Sequence, residues 1–379
     1  MKLHNNKNFE IESLRALSIL LVLVAHARLL SPFIYDLMKN LLTHASFGVG
    51  VDLFFCISGY VVSKKYYSIF DDSLYSNNFR NSVKLFWTQR FYRLFPSAWF
   101  WVFVVLFCSI FFNSSGAFLS PEQNLKSIFS ILSISSNISH MYSWLAPNNV
   151  YWSLALEEQF YLLFPFFFLF VKNKSLRIYA LFAIIFIQFF LYRNHFGNIY
   201  EQYFASFRVD GFAWGILIYI YSESKLYVKL EPTFLRNKNL SFLITLFLIY
   251  LLVAVPAVMH AFSFSMGLLA FIAALIVLLA SYDKGYIFGF TNLINSLQWL
   301  GSRSYGIYLI HLFAFKFIHE CIVRWLIYSD KSYTSDVVPY AILFSAILIA
   351  LLAEFNYKYL EQPMIRYGKN FANIRMKSI

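Results

Sequence analysis

Charged residues are scarce in this sequence. Aspartate, glutamate, lysine and arginine make up 13% of its 379 residues, whereas a soluble globular domain carries about 25%. Hydrophobic residues account for 59% of the chain and aromatic residues for 21%. This composition excludes a soluble enzyme or a soluble binding module and predicts a polytopic membrane protein.

Cysteine is scarce as well. The three cysteines, Cys56, Cys108 and Cys321, lie in apolar stretches without Cys-x-x-Cys spacing, which favours small buried side chains over disulfides or metal ligands. No group of potential ligands has metal-binding spacing, so we expect no metal and no bound cofactor. The opening MKLHNNKNFE lacks the apolar core and cleavage site of a signal peptide, so we expect the first apolar segment to be retained.

About ten apolar segments approach the length of roughly 20 residues that a helix needs to cross a bilayer. They lie at about 11–30, 47–63, 94–112, 151–171, 178–192, 209–222, 240–256, 263–281, 304–324 and 337–357. We therefore predict an all-α fold, a polytopic transmembrane helical bundle of about ten helices. The whole chain, 1–379, is predicted to form one domain, with a membrane core at about 8–367 and a short cytoplasmic tail at 368–379.

The basic residues predict the orientation of the bundle. A formal net charge of +12 is compatible with nucleic-acid binding. However, most of the 31 lysines and arginines fall in alternate connections between segments, beginning with Lys2 and Lys7. This is the positive-inside bias of membrane proteins, so we predict that both termini are cytoplasmic and that there is no nucleic-acid partner. The longest outer loop, at about 113–150, is predicted to hold a short interfacial helix near 125–134.

The first apolar segment carries two ionisable residues, Arg15 near its start and His26 near its end. At about 100° per residue, the eleven steps between them bring His26 back to within roughly 20° of Arg15, roughly 16 Å further along the helix. Ionisable groups inside a membrane segment are costly and usually face a cavity or a partner. We therefore predict that this face forms one wall of an active site.

Arg90 and Arg93 lie three residues apart at the predicted cytoplasmic mouth of the third segment. Side chains with this spacing share one side of a helix, where two guanidinium groups can bind phosphates bidentately. The alternative is a pair of ordinary positive-inside arginines, which the same position also favours.

The fourth segment opens with four polar residues in an otherwise apolar helix: Ser153, Glu157, Glu158 and Tyr161. Adjacent carboxylates cannot share a helical face, so we expect different roles for Glu157 and Glu158, whereas Glu158 and Tyr161 share a side. One carboxylate could simply stabilise the positive N-terminus of the helix.

Three further ionisable residues belong to later segments. Arg208 and Asp210, at the outer end of the sixth segment, are expected to form an ion pair with each other. His311 lies within the ninth segment, where an isolated buried histidine is usually structural.

Counting along the segments gives the depth of these groups in the membrane. His26 and Glu158 fall at similar depth in its outer half, whereas Arg15, Arg90 and Arg93 fall at the inner side. The sequence thus predicts a polar path with a cationic inner mouth and a histidine with a carboxylate further out. A neutral histidine with a carboxylate partner suits general-base catalysis on a hydroxyl.

Taken together, seven motifs in this order resemble the acyltransferase 3 family, the integral-membrane O-acyltransferases of bacteria. They are the spacing of Arg15 and His26, GVGVDLFFCISGYVVS at 48–63, Arg-x-x-Arg at 90–93, WSLALEEQFY at 152–161, RVDGFAWG at 208–215, LGSRSYGIYLIH at 300–311 and LEQPMIRY at 360–367. Any one motif is weak, but seven along nearly the whole chain are specific. The one visible variation is Cys56, where a plain aliphatic residue would serve.

The resemblance implies transfer of an acyl group, most often acetyl, from cytoplasmic acyl-CoA to a hydroxyl of a cell-envelope polysaccharide or lipid-linked sugar. The protein would lie among the lipids of the bacterial inner membrane and bind acetyl-CoA as a co-substrate. Some family members carry an attached SGNH hydrolase-like domain. This chain ends without one, so we expect it to act alone or with a separate partner, and the sequence carries no signal for an oligomeric state.

In this interpretation each polar residue has a role. The predicted acyl-CoA-binding residues are Arg90 and Arg93, and the predicted catalytic residues are His26, Glu158, Arg15 and Glu157. His26 is the general base or carries the acyl group itself. Glu158, with Glu157 as second choice, orients His26 or stabilises its charged form, and Arg15 helps to hold the CoA phosphates or to shape the thioester pocket. The predicted pocket-lining residues are Ser153, Tyr161, Arg208, Asp210, Tyr305 and His311.

Two other functions fit the same polar path. A transporter would carry a substrate or protons along it without using acyl-CoA. Paired interrupted helices in two halves of the chain would support a transporter, and the sequence shows no such halves. A membrane acyltransferase of a different type would keep the acyl transfer but modify a lipid or a protein.

Overall fold

The computed structural model describes residues 8–76, 78–194, 197–288 and 294–377, and this part of the chain is helical without β-strands. Its α-helices are α1 Phe9–His26, α2 Pro32–Leu42, α3 Gly50–Ser73, α4 Phe79–Phe111, α5 Pro121–Leu132, α6 Ser136–Met141, α7 Tyr151–Phe170, α8 Lys174–Phe190, α9 Ile199–Ala205, α10 Asp210–Ser222, α11 Lys225–Lys229, α12 Lys238–Val258, α13 Ser265–Ser281, α14 Ile294–Tyr328, α15 Val338–Phe355 and α16 Gln362–Lys377. The predicted all-α class is confirmed. Helices suit a chain this apolar because they satisfy every backbone hydrogen bond within the segment.

Each predicted membrane segment coincides with a helix of the structure. Among the described residues, six helical stretches are long and apolar enough to cross a membrane: Phe47–Ser73, Phe79–Phe111, Tyr151–Phe170, Lys238–Val258, Asn295–Tyr328 and Ser335–Phe371. The chain is thus a multi-pass membrane protein. The count of about ten crossings and the cytoplasmic placement of both termini stay predictions, and Lys2 and Lys7, which contributed to the second, lie outside the described residues.

Helix α4 extends well beyond the apolar segment that predicted it. It begins at Phe79, whereas the apolar segment begins near 94. Hydropathy marks only the part of a helix that lipid covers, and residues 79–93 contain no proline or glycine to end the helix. Arg90 and Arg93 therefore lie inside a continuous helix, just before its apolar segment, and their location at the cytoplasmic mouth of that segment stays a prediction.

The predicted tail is also helical. A π-helical turn, Asn356–Glu361, connects α15 to α16. The tail at 368–379 belongs to α16 as far as Lys377, and the residues after it lie outside the described part. Helix α16 packs against α4, so this part of the chain faces the same region as the two arginines.

Close helix crossings hold the centre of the bundle together. Where α3 packs on α10, a Cβ on Gly59 would lie 2.4 Å from the carbonyl oxygen of Phe212. A Cβ on Gly215 would lie 2.3 Å from the carbonyl oxygen of Cys56. Glycine lets the two backbones approach this closely, as is common between membrane helices. Helix α3 also packs on α1, and α1 packs extensively on α14.

The long loop between α4 and α7 is folded, contains the predicted helix as α5, and is tied to α14. The buried Glu320 carboxylate accepts the backbone N–H groups of Ser114 and Ser115 at 2.6 and 2.7 Å. Nζ of Lys316 donates to the carbonyl oxygen of Pro147 at 2.9 Å. These contacts hold the start of α7, and with it several predicted site residues, against α14.

Candidate active site

Helix α1 carries the two residues that organise the site. Arg15 lies in its first half, and His26 is its last residue. Between these levels Ser18 and Val22 line a narrow gap, and beyond it Val22 and His26 line a larger space, the outer cavity. The helix thus runs from a group of charged side chains around Arg15, through the narrow gap, to the outer cavity.

His26 meets a second histidine, His311 of α14. Nδ1 of His26 lies 3.3 Å from Nε2 of His311 and 3.0 Å from the carbonyl oxygen of Val22. Nδ1 of His311 lies 2.7 Å from the carbonyl oxygen of Tyr308. A carbonyl oxygen only accepts, so in the neutral rings both Nδ1 atoms carry the hydrogen. Nε2 of His26 is then unprotonated and, among the described residues, has no hydrogen-bond partner, so it can accept a proton.

Glu158 is buried, but no hydrogen bond joins it to His26, the partner that the sequence analysis expected. Within the described ranges of the chain, the only ionisable group hydrogen-bonded to His26 is His311. The expectation came from similar depth in the membrane. Depth does not say in which direction a side chain points around its helix, and for this reason the pairing is not found.

Arg90 lies on α4 and is 7% exposed. Its guanidinium lies over the rings of Tyr66 and Tyr161, with distances of 5.3 and 4.7 Å to the ring centres. Within the part of the chain that the structure describes, no carboxylate is in ion-pair range, and its Nε has no hydrogen-bond partner. A buried guanidinium held by aromatic rings keeps its N–H donors for an anion.

The charges around Arg90 form what we call the inner cluster: Arg15, Arg90, Arg93, Glu157 and Glu361. The charge of Arg93 interacts with those of Glu361 and Glu157, and Arg15 interacts with Arg93 and Glu157. Nη1 of Arg15 also lies 3.8 Å from the Glu12 carboxylate, so the positive charge of Arg15 is partly balanced. The sequence analysis placed the three arginines together at the inner side, and the structure brings them together with two carboxylates that it did not assign there.

Glu157, rather than Glu158, faces the inner cluster. Its carboxylate accepts hydrogen bonds from the hydroxyl of Ser58 at 2.9 Å and from that of Tyr161. The spacing of four residues along α7 places Glu157 directly beside Tyr161. Because Glu157 also lines the narrow gap, it joins the inner cluster to the next level of the path.

The narrow gap is small. Its volume is about 30 Å³, on a measure by which one water needs about 10–15 Å³. The predicted pocket residues Ser153 and Tyr305 lie on its wall beside Tyr308, and the hydroxyls of Ser153 and Tyr308 are 2.5 Å apart. Val22 and Tyr308 line both the gap and the outer cavity, so the gap separates that cavity from the inner cluster.

The outer cavity has a volume of about 610 Å³, within the range of about 300–1,000 Å³ that small-molecule sites occupy. Besides His26, its polar and aromatic walls include Arg28, Tyr35, Asp52, His140, Trp152, Asn194, Arg208 and His260. A ligand with several hydroxyl groups can therefore find both hydrogen-bonding partners and aromatic surface beside His26.

Arg208 and Asp210 do not pair with each other, so this expectation is wrong. Arg208 lies 3.0 Å from Asp52 of α3, and Arg193 lies 2.7 Å from Asp210. Arg208 precedes α10 and Asp210 is its first residue, and groups two positions apart do not face each other on a helix. Arg208 lines the outer cavity as predicted for a pocket residue, whereas Asp210 binds the segment after α8 through Arg193.

Several site residues were not singled out from the sequence. Glu361 lies in the quoted LEQPMIRY motif, is buried, and within the described residues has an Oε2 without a hydrogen-bond partner. The signal for Glu361 in the sequence was a single carboxylate close to the end of an apolar segment. Lys65 and Lys369 add positive charge beside Arg90 and Arg93, but nothing in their spacing distinguishes them from other positive-inside residues.

The fold and the site define a multi-pass membrane protein with an internal polar path that joins a cationic region to a histidine. The chain belongs to the acyltransferase family described as "Acyltransferase domain", which matches residues 8–354. The family resemblance drawn from the seven motifs is confirmed.

Two relatives show how far the similarity extends. The chain is 25% identical to "O-acetyltransferase OatA" of Staphylococcus aureus over 370 residues, covering 87% of this chain and 54% of the relative. It is 29% identical to "Peptidoglycan O-acetyltransferase OatA" of Listeria monocytogenes over 290 residues, covering 69% and 44%. The chain thus spans about half the length of the curated relatives it matches. No solved structure matches it.

Proposed function

We propose that this protein is a membrane O-acyltransferase that transfers an acyl group, in the first instance acetyl, from acyl-CoA to a hydroxyl of a cell-envelope glycan. One observation carries the proposal. The unprotonated Nε2 of His26 borders a cavity large enough for a sugar, and the same helix leads through a narrow gap to a group of arginines. Membership of the acyltransferase family supports it.

The inner cluster is the proposed site for the phosphate groups of acyl-CoA. Arg90 offers a planar set of donors that matches phosphate oxygens bidentately. Arg93 lies one helical turn away, and Nε of Arg15 has no hydrogen-bond partner among the described residues. The elongated pantetheine arm would then extend along α1 toward His26.

The chemistry at His26 follows from its tautomer. Nε2 takes the proton of the acceptor hydroxyl while that oxygen attacks the thioester carbonyl carbon. The C–S bond breaks, CoA leaves as a thiolate that takes up the proton, and the new bond is an ester. The hydrogen bond between Nδ1 of His26 and Nε2 of His311 orients the base. The same Nε2 is suited to accept the acyl group itself in a two-step transfer.

The proposed location is the bacterial inner membrane, with the inner cluster toward the cytoplasm, because the positive-inside bias places the arginines there. The names of the relatives make peptidoglycan the first acceptor to test. Lipid-linked sugars come next. The outer cavity would then receive its acceptor from the cell envelope, on the side away from acyl-CoA.

The test is to incubate the purified protein with radiolabelled acetyl-CoA, peptidoglycan fragments and lipid-linked oligosaccharide, and to follow the label. We expect an alkali-labile ester on a glycan, and no such product with His26→Ala. Label in lipid or protein would favour a membrane acyltransferase with another acceptor. Bound acetyl-CoA with no transfer to any acceptor would contradict the proposal and favour a transporter.

A further inference from the structure

We propose that the outer cavity selects an acceptor that carries an anionic group close to the hydroxyl to be acylated, and that Arg28 recognises that group. This inference rests on the proposed function, since it names a property of the acceptor. The anionic group is a carboxylate or a phosphate, because both present the paired oxygens that a guanidinium binds.

Arg28 is placed for this role. It lies two residues beyond His26, in the short 3₁₀ turn Ala27–Leu29 that follows α1, and it lines the outer cavity. Its side chain is exposed and, in the ranges that the structure describes, it meets no carboxylate and makes no hydrogen bond. A guanidinium of this kind has all its donors free for a ligand.

The other charged groups of the cavity do not compensate Arg28. Asp52 is the only carboxylate among the described residues that line it, and Asp52 is already paired with Arg208 at 3.0 Å. Burial lowers the pKa of His140, so this histidine is neutral near pH 7. The wall therefore carries one fixed, unbalanced positive charge, and it lies next to the proposed catalytic histidine.

The positions of Arg28 and His26 limit where the anion can be. Arg28 follows His26 by two residues, and both residues line the outer cavity. A ligand that binds Arg28 through an anionic group and presents a hydroxyl to His26 must carry both on one sugar residue or on adjacent ones. The aromatic residues Tyr35 and Trp152 of the cavity wall provide surface against which the sugar ring can pack.

The test compares three sugars that share one ring. N-acetylglucosamine is neutral, N-acetylmuramic acid adds a carboxylate, and N-acetylglucosamine 1-phosphate adds a phosphate. Calorimetric titration of the full chain in detergent measures their binding without any acyl donor, so the result stands apart from acyl transfer. We expect at least one anionic sugar to bind about tenfold more tightly than the neutral one, as one charge-assisted contact provides.

The variants decide whether Arg28 is the cause. Arg28→Gln should remove the preference, and Arg28→Lys should retain part of it because the charge stays while the planar fork is lost. Lys39→Gln is the matched control, since Lys39 is an exposed cation on α2 that does not line the cavity. Tighter binding of N-acetylmuramic acid identifies the anionic group as a carboxylate, and tighter binding of N-acetylglucosamine 1-phosphate identifies it as a phosphate. Equal or undetectable binding of all three sugars, or a preference that survives in Arg28→Gln, overturns the proposal.

Discussion

The inner cluster and the outer cavity are both polar regions within an apolar bundle, but they satisfy their charges differently. In the outer cavity Arg208 meets Asp52 at 3.0 Å, in an ion pair between two largely buried side chains. In the inner cluster Arg90 rests on aromatic rings, and within the described residues its Nε and the Oε2 of Glu361 have no hydrogen-bond partners. Nε of Arg208 also has no hydrogen-bond partner among the described residues, so the difference lies in the ion pair: Arg208 has a carboxylate partner, and Arg90 has none within the described part of the chain.

The difference indicates which charges stabilise the fold and which await a ligand. A buried polar atom left without a partner costs about 1–3 kcal/mol. A ligand that supplies the missing hydrogen-bond partners removes this cost, and the free energy that is recovered favours its binding. The inner cluster therefore suits a polyanion, whereas the pair of Arg208 and Asp52 supports the wall on which the acceptor would rest.

The largest effect is expected at His26, where the path between the two regions ends. His26→Ala should lower kcat for acyl transfer by about 10² to 10⁴, the usual contribution of a positioned base. His44→Ala, at an exposed histidine after α2, is the control and should leave kcat unchanged. If His26→Ala keeps more than about a tenth of the wild-type rate in correctly inserted protein, His26 is structural and the base moves to His311.

The ion pair of Arg208 and Asp52 should matter for stability more than for chemistry. Arg208→Gln leaves Asp52 buried without its partner, so we expect a loss of about 3–5 kcal/mol in the free energy of unfolding. Arg236→Gln breaks a pair of the exposed Arg236 with Glu231 and should change the melting temperature much less, because ion pairs that reach solvent contribute little to stability. Thermal unfolding in detergent measures both. Equal melting temperatures for Arg208→Gln and the wild type would show that the outer pair does not support the fold.

Arg90, which has no ion-pair partner among the described residues, should matter for donor binding. Arg90→Lys keeps the positive charge but loses the planar fork and its stacking on Tyr161, which is worth about 2 kcal/mol in a desolvated site. We expect acetyl-CoA to bind at least about tenfold more weakly while expression stays normal. Arg80→Lys, at an exposed position of the same helix, is the control. Unaltered CoA affinity in both Arg90→Lys and Arg93→Lys would make these residues ordinary positive-inside arginines.

The histidine pair gives a smaller effect. His311→Ala removes one acceptor of the Nδ1–H of His26, a hydrogen bond worth about 0.5–1.5 kcal/mol, so kcat should fall by about threefold to tenfold. The double variant with His26→Ala should be no worse than His26→Ala alone, because residues that act as a unit are not additive. The alternative partner of His26 is Glu158, as the sequence analysis expected. Glu158 is the correct partner if Glu158→Gln is non-additive with His26→Ala while His311→Ala is additive with it.

The smallest effect concerns the predicted cytoplasmic surface. Hydrogen bonds from Lys284 and Tyr286 lower the pKa of the partly exposed Glu231 carboxylate to about 2. Its contribution to stability is therefore complete above the ordinary pKa of 4.5 and is lost as the pH falls from there toward 2. Glu231→Gln should lower the melting temperature slightly at pH 7, and this difference should shrink between pH 4.5 and pH 2. A difference that grows on acidification would show the opposite sign of linkage.

Relations within one helix could be predicted from the sequence. The shared face of Arg15 and His26 follows from helical periodicity, and the helical segments follow from hydropathy. Helix α2 was not predicted, although a capping residue marks its N-terminus. The side chain of Ser31 accepts the backbone N–H of Phe33 at 3.3 Å. At 11 residues, α2 was too short to register as a membrane segment.

Relations between helices could not be predicted in the same way. Whether His26 meets Glu158 or His311 depends on how α1, α7 and α14 are rotated about their axes, and one sequence carries no record of those rotations. The spacing of Arg208 and Asp210 already argued against a pair between them, but it did not indicate their actual partners. Both find their partners in other parts of the chain, Asp52 and Arg193, that are distant from them in sequence or separated by a loop.

The most direct test of the central claim is a sided transfer measurement. The protein is reconstituted in proteoliposomes of known orientation, with radiolabelled acetyl-CoA on the side of the inner cluster and a glycan acceptor on the side of the outer cavity. We predict that label appears on the acceptor across the membrane, that Arg90→Lys slows this at low acetyl-CoA, and that His26→Ala abolishes it. Transfer that occurs only when donor and acceptor share the same side would contradict a path from the inner cluster through the narrow gap to His26.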